Sequence, residues 1–361
     1  MSADAIPARF DRHALIPGWN QSRLATAMVV VVGVGALGNE VARLLALSGV
    51  GTLLLCDPDR VTASNLSRAP LFRTADIGRP KVAAAADSLA ALAPEMRAIL
   101  RPHPLIHGIG LAELRDADVV MSCLDSRSAR LQLADRCALV RAPSIDGGTH
   151  PWGGEVRPFL TPDGPCYGCT LSANERATVD APWSCLDPIA EPAQGASAPI
   201  SALVAAWMAS IAVRFLFGLA TPADALAIDS ARGTTRPLTL TRADDCPLHI
   251  PIAPPRRLAI RATDTLAALR NAIGAAGVPL TWAPVMEQRT CPAPSCQFAE
   301  HRWGLPETAP CPRCGATLRP HTTLALDHAP GDLPLATLDI APREILTVLG
   351  EDGMTWVELA G

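Results

Sequence analysis

Aromatic residues are scarce in this 361-residue chain, at 4%, and charged residues are few, at 18%. The first shortage leaves the core to aliphatic side chains, with alanine and proline abundant around them. The second comes with a net charge of −4 and no block of like charge, which argues against a nucleic-acid groove. The N-terminal stretch MSADAIPARF has no apolar signal core, so no secretion is expected and the expected compartment is the cytoplasm. With 49% hydrophobic residues, the chain can bury a substantial core and is no disordered segment. The run from Pro192 to Val213 carries no charge, long enough by count to span a bilayer. It contains Pro199, Ser201 and Ser210, and Arg214 interrupts it. It also lies between two halves of a candidate metal site, which must end on one side of any membrane. A buried core helix is expected, with no membrane.

Cysteine is not lacking. Eleven cysteines in a chain of this kind point to metal or catalysis more than to disulfides. Cys166 and Cys169 form CYGC, and Cys246 and His249 form CPLH. Together they supply four soft ligands in two knuckles, as a closed tetrahedral zinc site needs. A redox pair at CYGC is the rival reading, but no thioredoxin-like context surrounds it. Cys291, Cys296, Cys311 and Cys314 form a second set, CPAPSC followed by CPRCG, which reads as a zinc ribbon over residues 290–316. Both sites are expected to be structural. Cys56, Cys123 and Cys137 fall on apolar segments and read as packing. Cys185, in VDAPWSCLDPIAEP, sits among prolines and acids and is expected in an accessible loop.

Along the chain, MVVVVGVGALG reads as a buried strand ending in glycines, and NEVARLLALSGVG as the helix that follows. TLLLCDPD, DADVVMSCLDS and APSIDGG are further strands, alternating with helices around KVAAAADSLAALAP and SARLQLADRCALV. This alternation predicts an α/β fold: a Rossmann-like, doubly wound, mostly parallel sheet. From about Gly153 the texture turns loop-rich, and a Pro/Ala/Asp-rich crossover occupies about 170–199. IPIAPPRR reads as a linker. It divides a first domain, 1–250, from a small C-terminal domain, 251–361, that carries the ribbon.

Gly33, Gly35 and Gly38 form G-x-G-x-x-G at the strand-to-helix turn, a phosphate-binding arrangement reinforced by the helix N-terminus. Asp57 ends the next strand, placed to accept ribose hydroxyls. These features suit NAD or ATP equally. The cluster that follows separates them: Asn65, Arg68, Arg73, Arg79 and Lys81 lie within SNLSRAPLFRTADIGRPK. A pyrophosphate is satisfied by the loop and helix end, whereas a triphosphate attacked at its α-phosphorus needs several cations. Arg73 and Arg79 read better as solvated surface charges.

From ARFDRHALIPGWNQSRL to CPLH, some 240 residues, the chain resembles the MoeB/ThiF/ubiquitin-activating superfamily. GVGALG, DPDRVTASNLSR, GRPKV, SCLDS and GGEVRPFLTPDGPCYGC carry the resemblance in combination. It strengthens the pairing of the two distant knuckles. It implies ATP-dependent adenylation of the C-terminal glycine of a ubiquitin-like protein. Asp57 would bind ribose, Asn65, Arg68 and Lys81 the phosphates, and Asp125 a magnesium ion, with Asp59 a nearby acidic candidate. Arg12, in FDRH, would reach into the partner subunit's site of a homodimer. Cys185 lies in the segment where ubiquitin-activating relatives carry their thioester-forming cysteine, so transfer to Cys185 is expected. A conjugating enzyme would be a further partner, and the ribbon domain a docking element for it or for the ubiquitin-like protein. The chain departs from the family pattern at His13, at Arg68-Ala69 and at the Cys-x-x-His knuckle; no charged catalytic group is lost. The alternatives are adenylation of a sulfur carrier for cofactor synthesis, an NAD(P)-dependent oxidoreductase, and a silent binding scaffold.

Overall fold

Strands covered by helices on both faces have no polar side to present, so their sequences run continuously aliphatic. The computed structural model describes residues 8–177, 195–274, 277–351 and 353–361. The elements of its first part are α1 (Gln21–Thr26), β1 (Met28–Val32), α2 (Ala36–Ser48), β2 (Thr52–Cys56), α3 (Lys81–Leu92), β3 (Arg97–Arg101), α4 (Leu105–Gly108), α5 (Leu111–Asp116), β4 (Val119–Ser122), α6 (Arg127–Leu139) and β5 (Ser144–His150). Then come β6 (Gly153–Phe159), α7 (Ala173–Ala177), α8 (Ala198–Leu216), β7 (Ala225–Asp229) and β8 (Thr234–Leu238). The sheet order is β3-β2-β1-β4-β5-β6-β7-β8. It is parallel from β3 to β5 and antiparallel from β5 to β8. The reversal between β2-β1 and β4 opens the crevice in which ligands of such sheets sit.

Four strands of this sheet, β3, β6, β7 and β8, lie outside the sequence reading, and two of them show why. Gly153–Phe159, which reads as loop-rich, is a strand held by β5 on one side and β7 on the other; its glycines and Pro158 hide it from any propensity argument. Arg97–Arg101 forms the edge strand β3, where charged ends are tolerated because one side faces solvent. The helix expected in the uncharged run is α8. By length and composition it could cross a membrane, yet more than half of its apolar window is buried. Val204, Met208, Ile211 and Ala212 join the main core with Val41 and Leu45 of α2.

The chain forms two compact units: Met1–Leu105 with Leu114–Pro251, and Ile106–Glu113 with Ile252–Gly361. The second contains β9 (Arg256–Arg257), α9 (Leu266–Ile273), β10 (Val278–Thr290), β11 (Ala299–Gly304), β12 (Arg319–Ala325), β13 (Ile345–Gly350) and β14 (Gly353–Glu358). Its sheet runs β11-β10-β13-β14-β9, with β12 also on β10. Leu266, Leu269, Leu335, Leu346 and Val357 form its core. The short segment from the β3–β4 connection is part of this unit. The buried Glu344 accepts the Leu111 amide at 3.0 Å, and the Ala112 amide donates to the Arg343 carbonyl at 3.2 Å. No periodicity in the sequence signals this insertion.

Candidate active site

The glycine loop after β1 is shaped by contact rather than by preference alone. Gly33 has φ +86°, and a Cβ there would lie 2.5 Å from the Cys123 carbonyl oxygen. At Gly38 a Cβ would lie 1.8 Å from the Gly33 carbonyl oxygen, so helix and strand close only without a side chain. At Gly35 a Cβ would meet nothing; this face of the loop is open, as the approach of a phosphate requires. Asn39 fixes the loop from behind. Fully buried, it donates to the Val34 carbonyl at 2.8 Å and accepts the Leu71 amide at 3.0 Å. It thereby ties the glycine loop to the chain just after Arg68, a role the glycine spacing does not reveal.

Asp57, 5% exposed, accepts the Val34 amide at 2.7 Å and the Asp59 amide at 2.8 Å. Burial pushes its carboxyl above the ordinary range, opposed by the Lys81 charge and by these two backbone donors. Lys81, buried at the start of α3, reaches Asp59 at 2.7 Å and Asp57 at 3.8 Å. These three residues form one cluster. Asn65 closes a short turn by accepting the Thr62 amide at 2.9 Å, and the Arg68 guanidinium donates to the Ser64 carbonyl at 2.7 Å. Arg79 is not simply solvated: it pairs with Asp76 at 2.6 Å and Asp87 at 2.5 Å.

Asp125 lies exposed three residues after β4, just before the Ser126 cap of α6. A buried ionic network holds the backbone beneath it. Arg130 gives two hydrogen bonds to the Leu124 carbonyl, at 3.0 and 2.8 Å. Asp146 holds Arg130 in turn at 3.2 Å, and also takes Arg157 at 3.0 Å and the Ser122 hydroxyl at 2.7 Å. Sequence reasoning misses this network, because its members lie on different strands and a helix. Arg12 is exposed on a short turn anchored by its neighbour: His13 stacks between Phe10 and Trp19 and meets Gln21 at 3.1 Å. Cys185 lies outside the described residues.

The two cysteine sets each come together. In the first, Cys166 Sγ lies 3.8 Å from Cys169 Sγ, 3.7 Å from Cys246 Sγ and 3.7 Å from His249 Nε2. In the second, Cys291 and Cys314 are 3.3 Å apart, and Cys296 and Cys311 3.7 Å. All ligand atoms of each set lie within 4.8 Å of one another. Zinc–sulfur bonds of about 2.3 Å in a tetrahedron put sulfurs about 3.8 Å apart, so both sets can hold zinc. Burial and the neighbouring sulfurs push the Cys166 thiol up, so thiolates gathered there call for a cation. Cys56, Cys123 and Cys137 are buried, as expected of packing residues.

The ThiF family model matches residues 10–248. The sulfur carrier protein adenylyltransferase of Thermus thermophilus is 32% identical over 250 residues, covering 66% of this chain and 89% of the relative. The molybdopterin-synthase adenylyltransferase of Escherichia coli is 31% identical over 251 residues, covering 68% and 96%. Among solved structures, E. coli MccB aligns with a TM-score of 0.56 at 21% identity, over 68% of this chain and 73% of that one; that likeness speaks to the fold. A Rossmann-like adenylation fold of the ATP-dependent adenylyltransferase class is therefore present. The chain belongs to the ThiF family.

Proposed function

We propose that the protein adenylates the C-terminal carboxylate of a small ubiquitin-like protein of the sulfur-carrier kind. The observation that carries this is the open Gly35 loop beside the Asp57–Asp59–Lys81 cluster, with Asp125 after β4. By their names, the matched adenylyltransferases act on a sulfur carrier protein and on molybdopterin synthase, which favours this reading over an oxidoreductase or a scaffold. Asp57 takes the ribose hydroxyls, while Asn65, Arg68 and Lys81 meet the phosphates. Lys81 exchanges its hold on Asp59 for a phosphate oxygen. Asp125 would hold magnesium, which neutralises phosphate charge when bound. The carrier's carboxylate oxygen forms a bond to the α-phosphorus, the bond to pyrophosphate breaks, and an acyl-adenylate results. Cationic donors aimed at the charge that develops are the main source of rate.

Arg12 acts across the two-fold axis of a homodimer, and zinc in both cysteine sets serves structure, in a cytoplasmic protein. Mixing Arg12→Ala with Asp125→Ala subunits then restores part of the activity, since one hybrid site is intact; no rescue after verified subunit exchange would assign Arg12 to its own subunit. The finer form of the proposal has Cys185 take the acyl group as a thioester, releasing AMP. Its support is the sequence around Cys185 alone. Incubation with ATP and carrier tests it: a reductant-sensitive adduct absent from Cys185→Ala supports transfer. Pyrophosphate exchange with no such adduct leaves sulfur-carrier activation as the whole function, with no step for a conjugating enzyme.

A further inference from the structure

An unbroken chain of contacts joins the first cysteine set to the backbone beneath Asp125. Cys166 and Cys169 bracket a short helical turn, Tyr167–Thr170, so ligation at both cysteines orients the turn and the Tyr167 ring. That ring is buried, packed with Ala134 of α6 and Phe159 of β6. The Arg157 guanidinium lies over it, 5.9 Å from the centroid. Arg157 donates to Asp146 Oδ2 at 3.0 Å, and Arg130 donates to the same oxygen at 3.2 Å. Arg130 in turn holds the carbonyl of Leu124, the residue before Asp125.

The coupling lies in the shared oxygen. Two guanidiniums meet on one carboxylate that is 2% exposed, so a shift of one changes the hold on the other. Asp146 alone cannot balance both cations. Glu155 takes a second nitrogen of Arg157, and the face of Tyr167 supplies further negative potential. Arg130 has little room to adjust: a Cβ on Gly148 would lie 2.9 Å from its guanidinium, so it sits wedged against bare β5 backbone. Without the ring, Arg157 is a desolvated cation short of a partner, which is costly and draws it off Asp146 towards Glu155. A second route from the same cysteines runs over the surface. Arg176 ties α7 to the Gly168 and Leu171 carbonyls at 3.2 and 2.7 Å, and Glu175 meets Arg127 at 3.5 Å. The side chains of that ion pair are 46% and 43% exposed, so it holds little.

We propose that Tyr167 is a positioning residue for Asp125. Through Arg157, Asp146 and Arg130, its ring fixes the Leu124 carbonyl and with it the backbone that presents the Asp125 carboxylate. The first cysteine set then does more than close a loop: it sets the geometry of the reacting site from a distance. The consequence for catalysis rests on the adenylation reading; the mechanical link from Tyr167 to Leu124 does not.

Hydrogen exchange followed by mass spectrometry tests the link in the full-length, zinc-loaded protein, with no nucleotide or carrier. Tyr167→Leu should speed amide exchange in residues 123–130 about three- to tenfold, the loss of one partly buried cation–π contact. Exchange in α3 should be unchanged and zinc content full. Tyr167→Phe keeps the ring and should match wild type. Arg157→Lys alters no residue of the knuckle and should reproduce Tyr167→Leu, because an ammonium cannot span Asp146, Glu155 and the ring together. Glu175→Gln, on the surface route, should leave residues 123–130 at the wild-type rate. Wild-type rates there in Tyr167→Leu and Arg157→Lys would overturn the proposal, as would loosening in Tyr167→Phe or equal loosening of α3. Carrier-dependent pyrophosphate exchange should fall about three- to tenfold in Tyr167→Leu, at an unchanged ATP requirement, and stay normal in Tyr167→Phe. Full activity in Tyr167→Leu would overturn its role toward Asp125. Wild-type protein that shows the amide effect but no pyrophosphate exchange would remove the adenylation reading and leave the link standing.

Discussion

The two cysteine clusters carry the same ligand chemistry and do different structural work. In the first, Cys166 and Cys246 are 80 residues apart in sequence, so a metal there staples the loop after β6 to the end of the first unit. In the second, Cys291 and Cys314 are 23 residues apart, and a metal closes a local hairpin around β10, β11 and β12. Loop-closure entropy grows only slowly with loop length, so the contrast lies in what each closure holds. The first secures part of the unit that carries the glycine loop, Lys81 and Asp125. The second secures a sheet in the other unit.

The sharpest way to break this comparison is to remove one ligand from each cluster. Structural zinc contributes about 10–16 kcal/mol apparent in small zinc-binding peptides, comparable to the roughly 5–15 kcal/mol that stabilises a whole domain. Cys246→Ser should therefore lower the melting of the first unit and abolish carrier-dependent pyrophosphate exchange. Cys296→Ser should melt the second unit early and leave exchange near wild type. Calorimetry with elemental analysis of each variant checks both; equal loss of exchange in the two would erase the distinction.

Chemistry should separate from scaffolding at the charged cluster. Asp125→Ala, Arg68→Ala and Lys81→Ala should each cost about a hundredfold to a thousandfold in exchange rate, the usual loss for a preorganised group aimed at developing charge. All three should keep a full complement of zinc. Near-normal exchange in every variant would place the reaction elsewhere.

A smaller effect is expected beneath Asp125. Arg130→Lys keeps the charge but cannot reproduce two hydrogen bonds to the Leu124 carbonyl together with the Asp146 contact. Exchange should fall by about tenfold, with a raised magnesium requirement and an unchanged ATP requirement. A purely structural role would lower the melting temperature and leave the magnesium dependence alone.

The smallest effect concerns pH. The Arg73 amide, and then the Arg79 guanidinium, hold Asp76 below the usual carboxylate range. A depressed folded-state value stabilises the fold above the unfolded value and loses that contribution as pH falls through the folded one. Asp76→Asn should thus melt slightly lower than wild type at pH 7, and the gap should close on acidification below about pH 4. A gap that is constant with pH would remove the carboxylate from the account.

Much of the site is legible in the sequence because its signals are local. Gly33, Gly35 and Gly38 sit in one turn, Asp57 through Lys81 in one stretch, and each knuckle within four to six residues. What holds these pieces in place is not local. Asn39 bridges two loops, and Asp146 gathers Ser122, Arg130 and Arg157 from separate elements, contacts that only tertiary packing creates. The fold divides likewise: the aliphatic strands β1, β2 and β4 announce themselves. The glycine-flanked β6, the charged edge β3 and the 106–113 segment in the second unit carry no pattern of their own.

The central claim is that the cluster around Gly35, Lys81 and Asp125 activates a C-terminal carboxylate. Exchange of labelled pyrophosphate into ATP tests it most directly, measured against a panel of ubiquitin-like proteins ending in glycine, each with and without that last residue. The account predicts exchange that appears only with an intact carrier terminus and disappears in Asp125→Ala. Exchange that ignores the terminal glycine, or that survives in Asp125→Ala, would contradict it.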